Sequence, residues 1–403
     1  MSQKNNGSGL LTGIRVLDLA DEKASFCSKL IADLGAQVIK IERPCGDHSR
    51  KIGPFLNDDD TEKSLSFIYN NTSKLSITLN IEDKEGKSIF LRLVEGADAV
   101  IETFPPGYLD NKELSFDQLK CINPRLILAS VTDFGQTGPK HRYKSCDLVA
   151  SAAGGQIHVS GSSSTPPLKI FGDQSYYSGS LFAAIGILVA LRKRSQDGAG
   201  AHLDISLQES AAASLEHVLP RYFNDGIVPV RQGARHWDNA FDIFPCKDGF
   251  IHMTLFHQWD TLIEWIASEG MADDLTNEKW QDEQYRNAHV EHVIKVIGRW
   301  TKTHTVEELF EQGQLMRFPW APVQTPMEVT QSPQLKARNF FVPVKHSNDT
   351  VGQCPGIPYK FSGADMPPQK SAPEPGEDNR SIYGKELGMS DKELKRLHER
   401  GVI

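Results

Sequence analysis

Between residues 15 and 207, short apolar runs alternate with longer segments of helical period, and this alternation limits the fold more than any other feature. Arg15–Leu19, Val38–Glu42, Ala99–Glu102, Leu126–Val131 and Leu203–Leu207 read as strands. Ser25–Leu34, Lys84–Glu95, Phe116–Ile122 and the apolar run Tyr176–Leu191 read as helices. Short apolar strands separated by helices pair in parallel, so the first half is expected to form an α/β sheet that is mostly parallel. Near residue 215 the pattern changes. Phe244–Met253 reads as a hairpin turning at Lys247-Asp248-Gly249, and helical patterns follow at Trp259–Ser268, Val290–Thr301 and Val306–Gln312. The expected division is a large domain over 1–215, a smaller α+β domain over 225–320 and a C-terminal segment over 321–403. That last segment is rich in proline, with extended pieces at Phe341–Lys345 and Tyr359–Ser362 and a charged helix at Asp391–Arg400.

Several function classes fall away on composition. The net charge of −8 opposes a general nucleic-acid role. Six cysteines without a C-x-x-C pair fit reduced thiols better than zinc or a disulfide scaffold. No uninterrupted apolar stretch reaches the length of a membrane span, and Met1–Ser8 is polar and lacks a signal core, so a cytoplasmic protein is expected. His252 with His257 and His289 with His292 have no matching ligand group, so no metal is expected. No G-x-S-x-G elbow is present. Gly7-x-Gly9-x-x-x-Gly13 precedes the first strand, whereas a dinucleotide loop follows one.

Two segments invite chemistry. Phe134-Gly-Gln-Thr-Gly-Pro139 is a turn at the carboxyl end of a strand, where open α/β sheets bind ligands, and Lys140, His141, Arg142 and Lys144 follow it. They read equally as a solvated loop or as phosphate contacts. Asp173 ends the stretch Ile170-Phe-Gly-Asp173, expected to be extended, and precedes the Tyr176–Leu191 run, which has the composition of a buried helix. A carboxylate there lies in the positive field of a helix N-terminus. Taken alone, the segment fits an N-cap better than a nucleophile.

Several segments together resemble the class III coenzyme A transferases, the family of formyl-CoA transferase and carnitine CoA-transferase. They are Gly13-Ile-Arg-Val-Leu-Asp18, Leu30 to Pro44 with Gly46-Asp47, Ile122-Asn-Pro-Arg-Leu126, Phe134 to Pro139, Gly172-Asp173, Gly198-x-Gly200-x-x-x-Asp204-x-Ser206, Ala321-Pro-Val323 and Lys360-Phe-Ser362. The resemblance implies a Rossmann-like large domain completed by the C-terminal segment, a smaller inserted domain and an interlocked dimer. It implies acyl-CoA and a carboxylic acid as substrates, no permanently bound cofactor, and Asp173 as a nucleophile that forms an aspartyl-CoA thioester. Succinyl-CoA is the expected donor. By the same mapping Arg43 meets CoA phosphate, Asn71, Thr72, Lys74, Thr103 and Phe104 meet the adenine and ribose end, and Lys144, Cys146 and Asp147 form a further CoA-contacting stretch.

The chain departs from the family at three places. The usual Gly-Pro step after the first strand is replaced by Asp21–Phe26, one residue shorter, which resembles the two-component benzylsuccinate CoA-transferases. No glycine-rich loop lies between Val230 and Phe244, which argues against formyl or oxalate substrates. Asn111, beside Lys112, stands where relatives place a basic contact. Two rival readings are a 2-methylacyl-CoA racemase and a silent subunit of a heteromeric transferase. Cys146 at the racemase histidine position opposes the first, and Asp173 opposes the second. A homodimer and a heterodimer with a homologous subunit are both open.

Overall fold

The computed structural model describes residues 9–56, 63–345, 351–364 and 366–403. These residues form two compact units. One takes the chain up to Ile157, Lys169–Ile227 and Ala337–Ile403; the other takes His158–Leu168 and Val228–Lys336.

The first unit is built on a six-stranded sheet in the order β3-β2-β1-β4-β5-β6. The strands are β1 (Arg15–Leu19), β2 (Gln37–Glu42), β3 (Leu75–Thr78), β4 (Ala99–Glu102), β5 (Ile127–Thr132) and β6 (Ala201–Ser206), all paired in parallel. Strand side chains alternate between faces. Leu17, Ile39, Ile41, Val100 and Leu128 point to one face and pack with Phe90, Leu93, Leu119 and Leu397. Val16, Val38, Ala99, Ile101, Ala129 and Val131 point to the other and pack with Ile31, Ala183 and Ile187. The chain runs outward from β1 in both directions, so the switch point lies between β1 and β4, at the shared carboxyl edge.

β3 and the Leu65–Asn70 helix were not legible in the sequence, because Leu75-Ser-Ile-Thr78 is short and half polar. The exposed edge of β3 is closed by the C-terminal segment. Asp378 and Asn379 carboxyl and amide oxygens accept from the N–H groups of Ser76 and Thr78 at 2.9 Å each, and the Tyr383 hydroxyl donates to the Thr78 carbonyl. An edge so covered cannot pair with another chain.

The apolar run became the helix Gln174–Asp197, 24 residues, running six past its expected end until Gly198 takes a left-handed φ of +76°. By length and composition alone it could cross a bilayer. Its packed face is made of small residues, Gly179, Ser180, Ala183, Ala184 and Ala190 with Ile187, which lets it lie close on the sheet. Leu181, Phe182, Ile185 and Val189 face outward, with Val189 62% exposed, so the expectation of a wholly buried helix is corrected. Ile170–Asp173, expected to be extended, contains no strand, and neither does Tyr359–Ser362, which is irregular and ends in a turn. Phe341–Lys345 pairs antiparallel with Val351–Pro355.

In the second unit β7 (Phe241–Pro245) and β8 (Phe250–Thr254) form the hairpin, and Ala321–Pro322 adds a short third strand. Helices Trp259–Ser268, Val290–Thr301 and Val306–Leu315 close a core around Trp280, Trp300 and Trp320.

Gly200 marks the entry to β6. A Cβ there would lie 2.0 Å from the Leu126 carbonyl oxygen, an approach that backbone cannot relieve cheaply. Gly200→Ala is expected to destabilise the protein by about 1–3 kcal/mol, as overpacking does. Thermal melting checks this, and an unchanged melting temperature contradicts it.

Candidate active site

The carboxyl ends of β1 to β4 surround a cavity of about 600 Å³. Asp21 and Lys23 follow β1, Arg43 and Asp47 follow β2, Asn80 and Glu82 follow β3, and Thr103, Phe104 and Tyr108 follow β4. Phe104 and Tyr108 stack at 4.4 Å between centroids, and the Tyr108 hydroxyl donates to Glu82 at 2.7 Å. Lys23, Arg43 and Lys51 line it beside Asp21, Glu42, Asp47 and Glu82, so positive charge is local within a mixed lining, and the stacked rings offer a face to a flat group.

Beneath the rim lies a buried charged network. The Lys74 ammonium, without solvent access, donates to Asp18 Oδ2 at 2.9 Å, Asn71 Oδ1 at 2.7 Å and the Ser25 carbonyl at 3.0 Å, which uses all its donors. Asp18 also accepts from the Ser28 hydroxyl and the Ala20 N–H. The Ala20 carbonyl accepts from Lys40, which pairs with Asp47 at 2.7 Å. Burial pulls the Lys74 ammonium down to about 8, and Asp18 opposes the fall. Burial also acts downward on Lys40, but Asp47 and Asp18 overcome it and raise the group.

The expected CoA contacts therefore divide. Arg43, Thr103 and Phe104 line the cavity. Asn71, Thr72 and Lys74 are buried below it with their side chains bonded internally, Asn71 Nδ2 to the Phe67 carbonyl and the Thr72 hydroxyl to the Tyr69 carbonyl. Lys144 and Cys146 are exposed; Cys146 stands at the start of the Asp147–Ala153 helix and makes no side-chain cap. Among the basic residues after the Phe134–Pro139 turn, His141 and Arg142 line a different cavity with His202. The turn itself is held by Asp204, which accepts from the Gln136 N–H at 3.0 Å.

Asp173 occupies the N-cap position of the long helix, yet its side chain makes no capping hydrogen bond. Asp147 caps the helix instead. Its Oδ1 accepts from the Ser175 N–H at 2.9 Å and the Ser175 hydroxyl at 2.7 Å, and the residue is buried. The Asp173 side chain is left 60% exposed, with Lys169 Nζ 3.4 Å from its Oδ1. Lys169 also meets Asp147 Oδ2 at 3.1 Å and the Gly172 carbonyl at 2.5 Å. Desolvation acts downward on the Lys169 ammonium, but its bond to Asp147 and the two carboxylate charges raise it. The turn Asp21–Ala24 and the start of the helix after it join the long helix to the cavity: Ser180 donates to the Lys23 carbonyl at 3.4 Å, and Phe26 packs on Tyr177 at 4.7 Å.

Sequence reasoning missed Lys169, Lys23 and Glu102. Lys169 precedes Asp173 by four residues in an irregular stretch, where spacing carries no periodic signal. Glu102 ends β4, where burial pushes its carboxyl up to about 7 against hydrogen bonds from Ser130 and the Phe104 N–H.

Fold and site together define a parallel α/β protein with a ligand cavity at its strand ends and, joined to it by one loop, an uncapped carboxylate at a helix N-terminus. The chain belongs to CoA-transferase family III, whose model it matches over residues 11–379. It is 31% identical over 402 residues to the succinyl-CoA:(R)-benzylsuccinate CoA-transferase subunit BbsE of Thauera aromatica, covering 96% of this chain and 97% of that one. It is 33% identical to the succinyl-CoA:mesaconate CoA-transferase of Haloarcula hispanica, covering 91% and 93%. Among solved structures, a CAIB/BAIF family protein from Brucella suis superposes with a TM-score of 0.83 at 28% identity, covering 94% of this chain and 99% of that one. The protein is therefore an enzyme, a CoA-transferase, and enzymes of this class take CoA thioesters as substrates.

Lys74→Met leaves the Asp18 carboxylate buried without its cation and is expected to cost about 3–5 kcal/mol. Urea unfolding measures it, and the Asp18→Asn, Lys74→Met pair should recover part of the loss. Glu102 gives a pH signature. Folded, it keeps its proton to about pH 7; unfolded, it loses it near 4.5. The folded state thus binds more protons between these values, and stability falls as pH rises through that window. Glu102→Gln should remove this component of the fall between pH 5 and 8; an identical slope in both proteins contradicts the assignment.

Proposed function

We propose that this enzyme moves coenzyme A from an acyl-CoA donor, succinyl-CoA, to a second carboxylic acid, with Asp173 as the covalent relay. The observation that carries the reading is the division of labour at the long helix: Asp147 caps it, and the Asp173 carboxylate stays uncapped and exposed. A carboxylate without an obligation to the backbone can act as a nucleophile. Its oxygen attacks the thioester carbonyl, the C–S bond breaks, and a mixed anhydride and CoA thiolate result. The thiolate attacks the aspartyl carbonyl, giving an aspartyl-CoA thioester and the free donor acid. The acceptor carboxylate then repeats both steps in reverse.

In this reading CoA enters the strand-end cavity, where Arg43 faces its phosphates and Thr103 and Phe104 its adenine and ribose end. Relatives named for succinyl-CoA support the donor. A relative named as a subunit supports a partner, either a second copy or a homologous chain, and the outward Leu181, Phe182, Ile185 and Val189 are apolar surface that an interlocked dimer would cover. The proposal places the enzyme in the cytoplasm with no permanently bound cofactor.

Intact-protein mass after incubation with succinyl-CoA and hydroxylamine tests the relay. Hydroxylamine converts an aspartyl thioester or anhydride to a hydroxamate. The adduct is expected on the wild type and absent from Asp173→Ala; an adduct that persists in Asp173→Ala moves the nucleophile elsewhere, and a wild type without one removes the relay.

A further inference from the structure

We infer that Lys169 is a catalytic residue, a fixed counter-ion that serves in turn each anion formed at Asp173. The inference rests on the covalent relay proposed above. Two of the contacts of the Lys169 ammonium are to groups that take no part in bond exchange, Asp147 Oδ2 at 3.1 Å and the Gly172 carbonyl at 2.5 Å. The third and longest, 3.4 Å, is to Asp173 Oδ1, a reacting atom. Asp147 is itself held by the N–H and hydroxyl of Ser175 and is only 4% exposed, so it cannot follow Asp173. The ammonium therefore keeps its place when Asp173 loses its charge.

Charge conservation gives that place a use. Asp173 carboxylate is consumed as CoA thiolate appears, and the thiolate is consumed as the free acid appears. One negative charge is present at every stage, on a different atom each time. A cation anchored from behind by Asp147 faces the charge as it passes from one atom to the next, and it lowers the barriers between them where charge develops closest to it. Its side chain is 37% exposed, so an incoming group can reach it. The 3.4 Å contact also matters: a close, bidentate pair would hold the nucleophile's electrons, whereas this one orients it and leaves it reactive. An ordinary surface pair four residues apart lacks the buried anchor and contributes little.

The test follows exchange of isotopically labelled succinate into succinyl-CoA, which needs no other acceptor. Lys169→Ala is expected to lower the exchange kcat by roughly 100-fold, the scale of losing one fixed group that stabilises developing charge, with KM for succinyl-CoA within about threefold. Lys169→Arg, or ethylammonium added to Lys169→Ala, should restore at least about tenfold of the lost rate, because either returns a cation to the anchored site. A purely structural role predicts no rescue by a free amine. An unchanged kcat, an effect confined to KM, or a loss that neither cation repairs overturns the inference. Lys169→Gln replaces the alanine variant if that one does not fold. Hydroxamate trapping on the wild type separates the two ideas: its absence removes the relay, whereas its presence with Lys169 dispensable removes only the counter-ion.

Discussion

An ion pair with no access to water, Asp18 with Lys74, lies under the cavity floor, and the rim depends on it. Such a pair is tolerable only when every donor and acceptor is met. Here Lys74 meets Asp18, Asn71 and the Ser25 carbonyl, and Asp18 meets Ser28 and the Ala20 N–H. These bonds join β1 to the chain just before β3 and to the helix between β1 and β2. They also fix Ala20, the first residue after β1, whose carbonyl is held by Lys40 and so by Asp47 beyond β2. Two buried lysines thus hold two stretches of the cavity wall.

The nucleophile candidate is positioned by the opposite arrangement. A helix N-terminus ordinarily draws its own first carboxylate onto its free N–H groups. Asp147, brought from an earlier helix, takes that duty at Ser175 and leaves Asp173 in the positive field without a bond to it. The two aspartates share one lysine, which balances part of their charge. Capping falls to Asp147, and Asp173 keeps a carboxylate with no duty to the backbone.

How much of this was legible depended on whether a feature was written in consecutive residues. Five of the six strands of the parallel sheet were visible because Val, Ile and Leu cluster in short runs, and the Lys84–Glu95 helix matched its pattern to the residue. β3 was not visible, since it is short and half polar and its outer edge is covered by Asp378 and Asn379 some three hundred residues away. The long helix was recognised but misjudged: hydropathy could not tell the small residues that pack on the sheet from the large ones that face outward. At the site, Asp173 and Arg43 stood out by motif. The interior placement of Asn71, Thr72 and Lys74, and the capping by Asp147, depend on which polar groups three-dimensional packing brings together, and no local spacing encodes that.

The Asp147–Lys169 contact spans an excursion of the chain, which leaves the first unit after Ile157 and returns at Lys169. The contact works as a clasp at the neck of that loop. Segments threaded between a clasp and its catch can lengthen, shorten or change sequence without pulling on what lies beyond. Residues 158–168 belong to the second unit, where Arg231 donates to the His158, Ser162 and Thr165 carbonyls and the Gly233 N–H to the Gly161 carbonyl, while the clasp fixes the register of Gly172, Asp173 and the first helical turn. Substitutions at either end of the clasp should therefore disturb Asp173 more than substitutions at positions of the excursion that make none of these bonds.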